Sequence, residues 1–181
     1  MISSAEAQLV ARDLLAEELP RRWAHTQGVA GRARELTRVL GPDAELIEVA
    51  AWLHDIGYSS TLVVCGFHPL DGARYLRDVL GVDEVVYRLV AQHTCAVIEA
   101  AERGIGSLIE EFPPPEDELL EALTYCDLTA DVDGRPVDVE ERLGEILQRY
   151  PAGHVVHRSI TRAMPSLLEV ARNVRLRLAD S

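Results

Sequence analysis

Four of the six histidines, His25, His54, His68 and His93, stand in or beside segments that read as successive helices, and Asp55 follows His54 directly. A second aspartate, Asp127, closes the apolar run Ala122-Leu123-Thr124-Tyr125-Cys126. Neutral imidazole and carboxylate suit Fe, Mn, Co, Ni or Zn, and the lack of a thiolate cluster argues against a closed structural zinc site. Inside a helix, adjacent side chains point about 100° apart and do not meet at one ion. At a helix end the backbone turns, so His54 can hold one ion while Asp55 bridges towards another and leaves room for a bridging water. Water on such an ion has its pKa lowered towards ~7, which makes it the nucleophile that hydrolysis needs.

Other residues near these positions have two readings each. Arg22, one turn before His25, can face the same pocket and take a phosphate oxygen with its planar fork, or be solvated at the surface. Arg74, after His68, and Thr94, beside His93, are further candidates for holding substrate. Asp131, four residues after Asp127, is either a partner of the ligands or a general acid, or simply ends its helix, and the last reading is preferred. His154 and His157 lack a third ligand nearby, while Cys95, Cys126, Trp23 and Trp52 read as packing residues.

Helices must position these groups, because apolar residues recur at helical spacing and strand-like alternation is hard to find. Ser3 and Glu6 form a capping box that opens a helix ending before Pro20. A second helix runs over 21–40, with Gly41-Pro42 as its stop. Asp43 caps a third, which carries Leu46, Ile47, Ala50, Ala51 and Leu53 into His54-Asp55-Ile56-Gly57, with Gly57 stopping it. After a loop over 58–67, helices are predicted over 69–80, closed by Gly81, and from Asp83 to His93. The stretch 96–116, with a short helix before Gly104 and the extended Pro113-Pro114-Pro115, is a lid or a connector. Helices follow over 116–130, 139–149 and 153–178, the last with a kink or restart at Pro165 and with Arg158, Arg162, Arg172, Arg175 and Arg177 as a solvated basic face. The expected architecture is all-α, one domain over 1–181 with the metal-site core over about 21–131 and C-terminal helices over 139–178.

Composition narrows the function. All 18 basic residues are Arg against 30 acidic ones, giving a net charge of −12. Duplex nucleic acid and anionic membranes are repelled on average, whereas a compact anion can still bind where a metal or an arginine pair reverses the local sign. Without Lys, Schiff-base chemistry is excluded. Three cysteines without a C-x-x-C pair suggest no disulfide framework, and Met1-Ile-Ser-Ser-Ala-Glu lacks the basic and apolar segments of a secretory signal, so a cytoplasmic location is expected.

The order His25, then His54-Asp55 within Ala51-Trp-Leu-His-Asp-Ile-Gly57, then Asp127, resembles the HD-domain metal-dependent phosphohydrolase superfamily. His68-Pro-Leu-Asp-Gly72-Ala73 and Gln92-His93-Thr94 are similar to the H-x-x-x-G-A and H-T segments of its six-ligand, two-metal branch, which includes bacterial symmetrical diadenosine tetraphosphate hydrolases. The resemblance implies His25, His54, Asp55 and Asp127 around one ion and Asp55, His68 and His93 around a second. The ions would be divalent transition metals, Fe or Mn foremost, with Co, Ni, Zn or Mg also admitted. Those hydrolases commonly carry Lys where this chain has Tyr58, which is placed here among the substrate-contacting residues and shifts the expectation away from diadenosine tetraphosphate. The G-Y-P segment of the cyclic dinucleotide phosphodiesterases is missing after His93.

The expected activity is hydrolysis of a phosphoester in a nucleotide or other small phosphorylated metabolite by a metal-bridged hydroxide, with Asp55 as the catalytic bridge. The alternatives are a mixed-valence di-iron oxygenase with the same ligands and a non-catalytic metal-dependent binding module. A homodimer face involving Pro113-Pro115 and the basic last helix stays open.

Overall fold

The computed structural model describes residues 2–106 and 108–181. Eleven helices occur among them: α1 Ser4–Leu15, α2 Pro20–Glu35, α3 Thr37–Leu40, α4 Ala44–Leu53, α5 His68–Asp78, α6 Glu84–Gln92, α7 Ala96–Glu102, α8 Leu108–Glu111, α9 Asp117–Leu128, α10 Val139–Arg149 and α11 Val155–Asp180. The fold is all-α. Among the described residues there is no strand, only an isolated bridge between Ala130 and Pro136, and no helix is long and apolar enough to cross a membrane.

α4 is the central helix because it is apolar almost all round: Ile47, Val49, Ala50, Ala51, Trp52 and Leu53 are all buried. α1 and α2 pack against it, and α6 and α9 close its other sides. α1 begins with the predicted capping box, in which Ser3 N donates to Glu6 Oε2 at 2.9 Å and the Ser3 hydroxyl accepts from Glu6 N. Its buried face is Ala7, Ala11 and Leu15, whose small residues allow a close approach to α4, while Leu9 is exposed. α5 packs on α6, and their buried residues include Leu70, Ala73 and Leu76 on α5 and Val86, Leu89 and Val90 on α6. α11 lies across α7, α9 and α10.

Several boundaries differ from the sequence expectations for tertiary reasons. The segment 21–40 is broken at Leu36, whose side chain is buried; α3 restarts from it. Asp43 ends a 3-10 turn over Gly41–Asp43 and makes no side-chain cap on α4. α4 ends at Leu53, four residues before Gly57. A Cβ on Gly57 would lie 2.0 Å from the His68 carbonyl oxygen, so this glycine is required by close approach to the start of α5 and does not act as a helix stop. α11 runs unbroken through Pro165, which forfeits only the ladder bond to the Thr161 carbonyl. The stretch 96–116 is a connector: Leu108 and Phe112 are buried, and Gln92 Nε2 donates to the Phe112 carbonyl at 2.6 Å.

The basic face of α11 is solvated, with Arg158, Arg162 and Arg172 exposed, and most of it is also paired. Arg158 and Arg162 share Glu102 of α7, Arg175 meets Asp138 and Glu140, and Arg177 bonds Glu121 of α9. The acids these arginines meet come from distant parts of the chain, so α11 is linked to α7, α9 and the start of α10 by ion pairs that spacing alone did not announce.

Candidate metal centre

The predicted ligand-type residues come from five elements whose ends converge. His25 is on the second turn of α2, His54 directly follows α4, His68 opens α5, His93 directly follows α6, and Asp127 lies in the last turn of α9. Asp55 sits two residues past the end of α4 at φ −106° and ψ 4°, in the bridge region where the chain turns. Among the described residues these side chains form two groups that could each hold a metal ion, His25, His54 and Asp127 in one and Asp55, His68 and His93 in the other.

Asp55 joins the two groups. Its Oδ2 lies 3.2 Å from His54 Nε2 and 3.8 Å from His25 Nε2, while its Oδ1 lies 3.4 Å from His68 Nε2. His25 Nε2 is 3.0 Å from Asp127 Oδ1, and the Nε2 atoms of His68 and His93 are 3.3 Å apart. Each of these four histidines therefore turns Nε2 inward. Three of them anchor the other nitrogen on a main-chain carbonyl: His25 Nδ1 on Asp131 at 2.9 Å, His54 Nδ1 on Ala51 at 2.8 Å and His93 Nδ1 on Val90 at 2.6 Å. A carbonyl can only accept, so each Nδ1 donates a proton there, and Nε2 is the nitrogen turned towards the ligand positions.

The His25 anchor is built by two glycines. A Cβ on Gly28 would lie 2.5 Å from the Gly134 carbonyl oxygen, and one on Gly134, whose φ is +79°, would lie 2.1 Å from the Ala24 carbonyl oxygen. The turn after α9 is thus pressed onto α2, bringing the Asp131 carbonyl within reach of His25. Asp131 supports the site through its main chain; its Oδ1 accepts from the N–H groups of Asp133 and Arg135.

The electrostatics suit cation binding. Burial alone would raise the pKa of Asp55, but Arg22, His54 and His68 override it and hold the carboxyl well below its ordinary range. Asp127 is held low in the same way, chiefly by its contact with His25. Burial pushes His68 and His93 downward, towards the neutral form a metal requires. His54 is pushed down by burial but lifted further by Asp55 and Asp127, to about 8. Its Nε2 is buried and has no hydrogen-bond partner. An orphaned nitrogen between two carboxylates is what a cation ligand looks like before the cation is added, so the residues fit a bound metal.

The other candidates fall on both sides of the site. Arg22 donates to Asp55 Oδ2 at 2.7 Å and lies 4.1 Å from the Tyr58 ring centroid, and Tyr58 stacks on His68 with centroids 3.9 Å apart. The Thr94 hydroxyl donates to Asp127 Oδ2. It is aimed there by a left-handed backbone at Thr94 and Cys95, with φ of 51° and 58°. These three residues line a cleft of about 110 Å³ together with Asp55, His68, His93 and Asp127. Arg74 does not line it; its guanidinium is held by Glu111 of α8 through bonds of 2.9 and 2.6 Å. His154 Nδ1 accepts from Val156 N, and His157 Nδ1 faces the carbonyls of Leu147 and Tyr150. The cleft also holds residues that sequence reasoning passed over, Glu99, Arg142, Arg149 and Tyr150. Only their helical periodicity on α7 and α10 was visible, and that does not say which side faces the metal ligands.

Comparison with known families matches residues 22–131 to the HD domain. Neither the curated proteins nor the solved structures include a match to the chain. Because the matched segment spans more than half of the sequence and contains both triads of ligand-type side chains, the chain belongs to the HD domain family.

Proposed function

We propose that this protein hydrolyses a phosphoester of a nucleotide or other small phosphorylated metabolite, using two divalent transition-metal ions, Fe or Mn foremost. His25, His54, Asp55 and Asp127 would hold one ion and Asp55, His68 and His93 the other. Bound there, the pair would supply an activated water for attack on phosphorus and positive charge for the phosphoryl oxygens. The observation that carries this reading is Asp55, whose two oxygens face different triads.

The chain's own groups supply the rest. Arg22 neutralises Asp55 and stands at the cleft, where its remaining N–H groups can take a phosphoryl oxygen. Thr94 fixes the rotamer of Asp127 by engaging the oxygen that His25 does not. Tyr58 braces His68 and walls the cleft. The acidic surface disfavours long polyanions, so the substrate is a compact one.

Elemental analysis of the purified chain, with phosphate release from a nucleotide panel in Mn or Fe, tests the reading. The expected result is about two metal ions per chain and turnover that Asp55→Ala abolishes. Full turnover in that variant, or two irons per chain with dioxygen consumption and no phosphate release, would overturn it.

A further inference from the structure

The cleft has a second wall, made mostly by residues beyond the matched family segment. Leu128, Ile146, Val156 and Ile160 make it apolar, and Arg142 and Arg149 of α10 give it charge. These arginines are seven residues apart, two turns along one face of the helix. Arg142 has the least exposed side chain of any arginine in a described ion pair, at 6%. Its Nη1 donates to Glu145 Oε2 at 2.7 Å, but its Nε is buried without a partner. The other oxygen of Glu145 is taken by Arg149, so one carboxylate serves two guanidinium groups.

The nearby acids do not repair this imbalance. Glu99 Oε1 is engaged by Arg103, Asp127 by His25 and Thr94, and Asp131 Oδ1 by two main-chain N–H groups, whereas the carboxylate bonded to Arg142 is that of Glu145. A guanidinium that is buried with a donor unmet is unfavourable unless a ligand supplies the acceptor. Carboxylates are not scarce in a chain with 30 acidic residues against 18 basic ones, yet this arginine shares the carboxylate of Glu145 with Arg149.

We propose that Arg142, with Arg149 beside it, binds a second oxyanion of the substrate, the first being the phosphoryl group at the metal centre. The preferred substrates are then compact phosphoesters with a separate phosphate or carboxylate, whose apolar portion lies on Ile146, Val156 and Ile160. The inference rests on the hydrolase reading of the metal centre but on different residues.

Calorimetric titration of the manganese-loaded full chain with alkylene diphosphonates of one to four carbons, against ethylphosphonate, provides the test. At least one diphosphonate is expected to bind about tenfold more tightly than ethylphosphonate, the gain of one charged hydrogen-bonded contact. Arg142→Met should abolish that preference at unchanged manganese content, and Arg142→Lys should restore part of it. Arg149→Ala alters an exposed side chain and should weaken the preference even if Arg142→Met does not fold. Phosphonocarboxylates of matched length tell a carboxylate second group from a phosphate. Wild-type protein that takes up manganese but shows no preference, or a preference intact in Arg142→Met or, failing that variant, in Arg149→Ala, overturns the inference alone. Failure to take up any metal overturns the metal centre as well.

Discussion

At the scale of single residues, the centre depends on groups whose two ends do different work. Asp55 faces both triads, so Asp55→Asn, which keeps the shape and halves the acceptors, should lower metal content and cut phosphate release by about 10³-fold, as measured by elemental analysis and a phosphate assay on the same preparation. Thr94 acts one step further out, through Asp127. Thr94→Ala should weaken metal binding by about 10- to 100-fold in a chelator competition, while Thr94→Ser retains it. The left-handed backbone at Thr94 and Cys95 costs about 1–3 kcal/mol per residue, and this strain aims the hydroxyl at the ligand.

At the scale of elements, the ligands are set by how closely helix ends approach one another. Gly57 is the tightest contact, because any Cβ there meets the His68 carbonyl. Gly57→Ala should destabilise the fold by about 3 kcal/mol and separate Asp55 from His68, seen as a lower unfolding midpoint together with reduced metal stoichiometry. α1 carries no ligand and offers a contrast. Ser3→Ala removes the capping box and should cost about 1 kcal/mol, a shift of about 2–4 °C in midpoint, with metal content unchanged.

At the scale of the whole molecule, ion pairs between distant segments add a pH dependence that is separable from the centre. Glu111 of α8 is held below its ordinary value of 4.5, first by the hydrogen bond from Arg74 and further by Arg77. A carboxyl with a depressed folded pKa contributes stability that is complete above 4.5 and is lost as pH falls through the folded value. Unfolding midpoints measured from pH 7 down to pH 3 should therefore fall less steeply for Glu111→Gln than for the wild type. Identical acid limbs would refute the role given to this cluster.

The sequence alone determined the helices and the order of the ligand-type residues, because caps, breakers and a 3.6-residue period are local and are written within a dozen residues of where they act. Ser3-Glu6, Gly81 and the limits of α10 are readable in that way, and so is the His54-Asp55 pair at a helix end. Which groups share one cleft is a non-local matter. Arg74 and Arg142 look alike along the chain, yet packing turns Arg74 onto Glu111 and encloses Arg142 in the cleft wall. Gly57, Gly28 and Gly134 matter because of backbone that arrives from distant segments, and the arginines of α11 find carboxylates on α7, α9 and α10 or its cap that no periodicity announces. Only tertiary structure decides these contacts, since steric exclusion and ion pairing act through space and the chain folds back at angles its local signals leave open.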